Sequence, residues 1–388
     1  MRVMPDPKAL RDKAIAQRDR GLLHPSMADY DIVMARTWGG PPPKWYAEAL
    51  LNFPRRFKAI KDRTALVTGG SGGIGFYVAK LLCAIGLTTI IPSRPGLEAE
   101  AASAAEAIAA AIPGARVVVP DVALDLASFE SVRAFGAHMR SGAFASISLE
   151  YLLLNAGRGG AAAGTFEASI DEQEVIMQVN LLSHALLLSE LLPLLNRSAS
   201  PPVRIAAMSS GARFNVRPRD LTRDLNATAA YNPWQQYSRS KAGMCLLARA
   251  LSARLAAVGV RGVASAADPG LVATGVNVQH DLAATLGGRL PDTKALHDAA
   301  ASHAADGALP LVRAALEGPD GSFYAPAPRP ARLADAAVQL EGVRGDPMAW
   351  DGESVEAFWQ RLEEATPGLR EAWEGGRTLD AAPLKSEL

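Results

Sequence analysis

The sequence predicts an α/β protein built on a doubly wound parallel sheet, and three observations carry that expectation. From Thr64 onward, short apolar runs alternate with stretches whose apolar residues recur at helical spacing. The short runs are apolar at consecutive positions, as strands covered on both faces require. Between the first run and the first helical stretch lies Thr68-Gly69-Gly70-Ser71-Gly72-Gly73-Ile74-Gly75, where a chain passing from strand to helix needs a tight turn.

In chain order, residues 64–67 form the first strand and residues 73–84 a helix with one apolar face. Residues 87–92 make a second strand, followed by an alanine-rich helix near 98–111. Val117-Val118-Val119 is a third strand, and a helix over 128–139 precedes the strand Tyr151-Leu152-Leu153-Leu154. A long helix runs from about 172 to 195. A strand over 203–208, a helix over 235–257 and a strand over 262–267 complete the series, with Ser322-Phe323-Tyr324 as a last strand. In such a sheet, right-handed crossovers bring ligands to the carboxyl ends of the strands. Residues 63–330 read as one domain. Residues 1–62 form an N-terminal extension, and residues 331–388 a C-terminal one with a single amphipathic helix near 353–362.

Composition narrows the function classes. Hydrophobic residues make up 49% of the 388 and charged residues 21%, enough apolar surface for a sizeable core. Lys+Arg and Asp+Glu both count 40, so there is no basic excess to attract nucleic acid. The two cysteines, Cys83 and Cys245, each fall in an apolar helical stretch and read as reduced core thiols. The six histidines show no metal-ligand spacing, so no metal is expected.

The N-terminus carries charges without a continuous apolar stretch, which argues against a secretory signal. The apolar stretch over 181–195 is interrupted by Ser183, His184, Ser189, Glu190 and Pro193, and reads as a buried helix. The expected compartment is the cytoplasm. Residues 44–62 interleave Trp45, Tyr46, Phe53 and Phe57 with Arg55, Arg56, Lys58 and Lys61. This segment reads first as a lead-in that packs on the main domain, with peripheral membrane contact as the sharper alternative. The terminal Lys385-Ser386-Glu387-Leu388 resembles a retrieval signal and reads as coincidence.

The glycine-rich string has a chemical use beyond its turn. Its glycines let the backbone approach a pyrophosphate, and the helix it opens supplies unpaired N–H groups and a positive dipole end. The second strand ends in Ser93-Arg94. An acid there would bind the 2′-OH of NAD, whereas an arginine can pair with the 2′-phosphate, so NADP(H) is the expected cofactor. Asn155-Ala156-Gly157 closes the fourth strand with small residues that allow a cofactor to lie against the sheet.

Proton transfer needs a donor beside the reacting oxygen. Tyr237 and Lys241 stand at i and i+4 on a predicted helix, so an ammonium can sit near a phenol whose ordinary pKa is about 10 and lower it. The strand over 203–208 ends in Ser209-Ser210, either of which could hold a substrate oxygen.

These motifs, in this order, resemble the short-chain dehydrogenase/reductase family over about residues 63 to 330. The spacing Thr68-Gly69, Gly73, Gly75 matches its TGxxxGxG loop, with Ser71 and Ile74 inside it. The resemblance implies that Asp125-Leu126 contacts the adenine and selects Ser210 over Ser209. It makes Asn180 the helix asparagine of a proton relay, with Ser210, Tyr237 and Lys241 as the other catalytic residues. Pro269-Gly270-Leu271-Val272-Ala273-Thr274 matches PGxVxT, so Pro269, Gly270, Val272 and Thr274 would touch the nicotinamide end. The insert between Ser210 and Tyr237, with Arg213-Phe214-Asn215 and Asp220-Leu221, is similar to that of the retinol dehydrogenase and WW-domain oxidoreductase branch.

That branch implies an apolar small-molecule carbonyl or alcohol (a retinoid, steroid, prenol or fatty aldehyde), with residues 271–290 covering it and a homodimer as the assembly to test. Three other readings fit the sequence less well. A catalytically silent NADP(H)-sensing scaffold usually lacks one of the four reacting residues, and all are present. An extended-branch epimerase or dehydratase favours TGxxGxxG. A light-driven pigment reductase carries a cysteine close after the lysine, and Cys245 is better explained as core.

Overall fold

The computed structural model describes residues 44–159, 166–195, 202–228, 231–270, 272, 302–326, 338–340 and 346–375. The expectations for residues 1–43, for the loop over 271–290 apart from Val272, for Thr274 and for the C-terminal tetrapeptide lie outside them.

Seven strands run parallel in the order predicted by alternation: β1 (Thr64–Val67), β2 (Thr88–Ile90), β3 (Arg116–Val118), β4 (Tyr151–Leu154), β5 (Val203–Met208), β6 (Gly262–Ala267) and β7 (Phe323–Ala325). An eighth, β8 (Val338–Leu340), pairs antiparallel with β7. The sheet order is β3-β2-β1-β4-β5-β6-β7-β8. The winding therefore reverses between β1 and β4, and a ligand crevice opens at the carboxyl ends of the strands there. Register pairs Val67 with Leu153, Leu154 with Ala207 and Met208 with Ala267. Thr68, Asn155, Ser209 and Asp268, the residues just past these strands, thus leave the sheet along one edge.

Alternate residues of each strand feed two apolar layers. Leu66, Leu152, Leu154, Ile205 and Ala207 face the layer made with α4 (Phe129–Met139), α5 (Val175–Leu195), the short α6 (Pro218–Thr222) and α7 (Pro233–Ala257). Ala65, Val67, Leu153, Ala206 and Met208 face the layer made with α1 (Lys44–Arg56), α2 (Gly73–Ile85), α3 (Glu98–Ala111) and α8 (Ala304–Glu317). Each fully buried leucine or isoleucine contributes roughly 1.5–3 kcal/mol relative to exposure. α5 is long and apolar enough to cross a membrane, yet 89% of its most apolar window is buried, as a core helix would be.

Helix starts follow local chemistry. Ser128 accepts a hydrogen bond from Ser131 N at 3.2 Å and caps α4. Asn232 caps α7, accepting from Gln235 N at 2.9 Å, with Pro233 in the first turn. α5 begins three residues later than the pattern suggests. Glu172 has a φ of 60°, outside helical geometry, and Glu174 is the cap, accepting from Met177 N at 2.8 Å. Within α5, residues Gln178–Leu182 form one π-turn.

Both ends of the described chain pack on the core. In α1, Tyr46, Ala49 and Phe53 are buried, and the Tyr46 hydroxyl donates to Tyr77 O of α2 at 2.5 Å. The aromatic residues considered for a membrane surface thus face the protein, although Leu51 is 72% exposed. The C-terminal region holds more than the single helix expected. A 3₁₀ turn (Pro347–Ala349) leads into α9 (Gly352–Ala365) and α10 (Leu369–Gly375), and Phe358, Trp359, Leu362 and Trp373 join the α5–α7 layer. β8 has three residues and α10 seven, too few for a period to register in sequence.

Candidate active site

The glycine-rich loop takes the form its composition dictates. Gly69 and Gly73 have φ of +66° and +51°, a region side chains disfavour. A Cβ on Gly75 would stand 2.0 Å from Gly69 O and 2.6 Å from Asn155 Nδ2, so only glycine lets α2 approach the β1 turn this closely. No side chain caps α2 at Gly72. Ile74 lies in its first turn, and the Ser71 hydroxyl donates to Glu100 Oε1 at 3.1 Å.

Thr68 ties this loop to the end of β4. Its Oγ1 accepts from Asn155 N at 2.9 Å and Ala156 N at 3.0 Å, while Asn155 Nδ2 donates to Thr68 O at 3.0 Å. Gly157 is equally confined: a Cβ there would lie 3.1 Å from both Asn180 Oδ1 and Lys241 Nζ. At the β2 end Ser93 is buried, with its carbonyl accepting from Leu124 N, and Arg94 is exposed without an ion pair among the described residues. Asp125 Oδ1 accepts from Ala127 N at 2.9 Å, and the Leu126 side chain enters the core.

Asn180 sits in the π-turn, fully buried. Its Oδ1 accepts from Arg158 N at 2.7 Å, and its Nδ2 donates to Arg158 O at 3.0 Å and Ser240 Oγ at 2.9 Å. His184, one turn on, was not singled out in the sequence as a site residue. Its Nδ1 lies 3.1 Å from Asn180 O, and its Nε2 3.0 Å from Thr68 Oγ1. A carbonyl only accepts, so Nδ1 carries the proton and Nε2 accepts from the Thr68 hydroxyl. Burial lowers the imidazole pKa to about 4, which keeps it neutral; the bond to Asn180 opposes that shift, and the Lys241 charge adds to it.

Ser210 follows β5 and opens a 3₁₀ turn (Gly211–Asn215), its Oγ accepting from Ala212 N at 3.3 Å. Tyr237 on α7 hydrogen-bonds the Ser210 side chain. Lys241, one turn further, is buried with Nζ 3.1 Å from Met208 O and 5.7 Å from the Tyr237 ring centre. Burial pushes the Tyr237 hydroxyl up to about 12; the Ser210 bond opposes this, and the Asp268 charge adds to it. The expectation that Lys241 holds the phenol below its ordinary range is therefore not met here, because desolvation outweighs the opposing Ser210 bond. Burial also lowers Lys241 to about 8. Both groups carry their protons at neutral pH.

Pro269 and Gly270 follow β6. Gly270 has a φ of +76°, and its N–H donates to Asp268 Oδ1 at 2.8 Å. Val272 is buried and bridges to Ser302. The structure thus brings Asn180, Ser210, Tyr237 and Lys241 to one end of the sheet, with the glycine loop and Asn155–Gly157 beside them.

A family model described as short chain dehydrogenase matches residues 63–221. Human polyprenol dehydrogenase is 32% identical over 224 residues, 57% of this chain and 64% of its own length. Residues 63–221 thus match the short-chain dehydrogenase/reductase family. The WW domain-containing oxidoreductase of Drosophila melanogaster is 38% identical over 128 residues, 33% of this chain and 29% of that protein, which fits the retinol dehydrogenase-like branch. The matches span less than two thirds of these two relatives' own length. Among solved structures, an uncharacterized Mycobacterium paratuberculosis protein superposes with a TM-score of 0.57 at 25% identity. That match covers 79% of this chain and 94% of the other. The fold and the glycine-rich loop are those of this family.

Proposed function

We propose that this chain is an NADP(H)-dependent short-chain dehydrogenase/reductase that interconverts an apolar carbonyl and its alcohol. The observation that carries the reading is the Tyr237 hydroxyl bonded to Ser210, with buried Lys241 one turn away. When bound, the cofactor supplies the hydride. The residues fit it: the Gly69–Gly75 cradle has no room for a Cβ at Gly75, and Asn155, Ala156 and Gly157 keep the sheet edge low. Thr68, Ser71, Gly73 and Ile74 complete the loop, Asp125 and Leu126 would flank the adenine end, and Pro269, Gly270 and Val272 the nicotinamide end. Arg94, exposed beside buried Ser93, would pair with the 2′-phosphate and select NADP(H).

The reacting groups then divide the work. Ser210 holds the substrate oxygen, and Tyr237 gives or takes its proton. Lys241 supplies positive charge beside the phenol, and Asn180 fixes the wall behind it and would hold a water that links Lys241 to solvent. Rings near these groups support an apolar substrate: Trp234 stacks on Tyr237 with centroids 5.9 Å apart, and Phe166 and Phe214 are partly exposed. The human relative is by name a dehydrogenase of a polyprenol, and a prenol, retinoid, steroid or fatty aldehyde suits the same surface.

A panel of apolar aldehydes, ketones and alcohols, followed by NADPH absorbance, tests the reading. Tyr237→Phe should lower turnover by roughly a hundredfold or more while NADPH still binds. A Tyr237→Phe variant with undiminished turnover would refute the role.

A further inference from the structure

Arg213 is one of the largest wholly buried side chains in the described protein, at 1% exposure. It lies three residues past Ser210, on the 3₁₀ turn that Ser210 opens. Its Nε reaches both carboxylate oxygens of Asp346 at 3.2 Å, and one terminal nitrogen reaches Asp346 Oδ2 at 2.9 Å. The other terminal nitrogen donates to Ser210 O at 3.2 Å and Asp268 Oδ2 at 3.3 Å. The rings of Phe214 and Phe323 lie 4.1 and 3.9 Å from the guanidinium carbon. With its donors occupied and rings close by, the guanidinium plane has little freedom.

Asp346 precedes the C-terminal helices and lies far outside the segment the family model matches. It is 2% exposed and also accepts from Met348 N at 3.0 Å. The following turn is fixed from a second side. Arg249 of α7 donates to Pro347 O at 3.1 Å and Trp350 O at 2.5 Å. Residues 346–350 therefore bridge the Ser210 turn and α7, the helix that carries Tyr237 and Lys241. Asp268, just before Pro269-Gly270, joins the same cluster through Arg213 and also accepts from Gly211 N.

A buried ion pair is weak evidence for stability, since apolar residues of similar volume often serve as well. Its value here is geometric. We infer that Asp346, acting through Arg213, is a positioning residue that sets the distance between the Ser210 turn and Tyr237. The C-terminal region would thus complete the active-site wall. This inference rests on the proposed role of Ser210.

Full-length Asp346→Asn, Asp346→Glu and Arg213→Met/Asp346→Leu are compared with wild type by kcat, NADPH affinity, thermal midpoint and amide hydrogen exchange of peptides over 209–217. Asp346→Asn should lose about tenfold or more in kcat, with NADPH affinity within about twofold. Asp346→Glu, which keeps the carboxylate, should recover most of it. The double variant removes both members of the pair but leaves Asp268 without its arginine, so its thermal midpoint should recover only in part while its kcat stays low. Wild-type kcat in the double variant would overturn the inference. Should Asp346→Asn fail to fold, the double variant carries the same decision. If the wild type turns over no carbonyl or alcohol, the proposed function fails by itself, and exchange then decides the positioning. Faster exchange over 209–217 in either variant, with residues 64–76 unchanged, supports the inference, and unchanged exchange over 209–217 overturns it.

Discussion

His184 offers a quantitative test of the wall behind Tyr237. The imidazole is held neutral between Thr68 and Asn180, with its pKa lowered to about 4 by burial. An unfolded chain would protonate the same ring near its ordinary value of about 6.5. The folded pKa is the lower one, so the unfolded state binds the extra proton as pH falls from 6.5 towards 4. This contribution to stability is intact above 6.5 and is lost on acidification through that window. Between pH 7.5 and pH 5 the loss amounts to roughly 2 kcal/mol. His184→Gln removes the titration and retains a donor and an acceptor. Urea unfolding of both proteins at pH 7.5 and pH 5 isolates the ring, because other titrations cancel in the difference. The stability advantage of wild type should shrink by roughly 2 kcal/mol at the lower pH. An advantage that stays constant across the window would refute the neutral, doubly bonded imidazole.

Other substitutions probe the remaining parts. Gly75→Ala places a methyl group 2.0 Å from Gly69 O, so the loop must shift; NADPH affinity should fall by roughly tenfold or more, measured by nucleotide fluorescence, with overpacking costing about 1–3 kcal/mol. Arg94→Asp should weaken NADPH binding by about tenfold or more while leaving NADH binding unchanged or tighter, since it removes the 2′-phosphate contact and supplies an acid for the 2′-OH of NAD; equal losses for both cofactors would count against the NADP(H) preference. Tyr46→Phe leaves Tyr77 O without its 2.5 Å donor; chemical denaturation should show a loss of about 1–3 kcal/mol with NADPH affinity unchanged.

Elements that announce themselves locally were legible in the sequence. The strands from Thr64 to Ala267 could be read because each is a short apolar run next to a helical stretch, some of these opened by a cap such as Ser128 or Asn232. The glycine loop and the Tyr237–Lys241 pair could be read because their partners lie within eight and four residues in the chain. The residues that support them could not. His184 meets Thr68 across 116 positions, and Arg213 meets Asp346 across 133. Neither pairing leaves a periodic trace, and Arg213 stood out only as part of an insert. The late start of α5 depended on the left-handed conformation of Glu172, which a glutamate does not advertise. Strand β8 exists because β7 offers it a partner, since Val338-Gln339-Leu340 alone carries no alternating pattern long enough to read.

That last pairing bears on how copies of the chain could associate. A parallel sheet ending at β7 would present the open hydrogen-bonding groups of Phe323–Ala325 to any neighbouring strand. Here β8 lies across them, reversed in direction, with Tyr324 opposite Gln339. A second molecule therefore cannot continue the sheet through β7 without first displacing β8. Among the described residues, pairing of strands between copies is left to the far margin at β3 and the outer edge of β8.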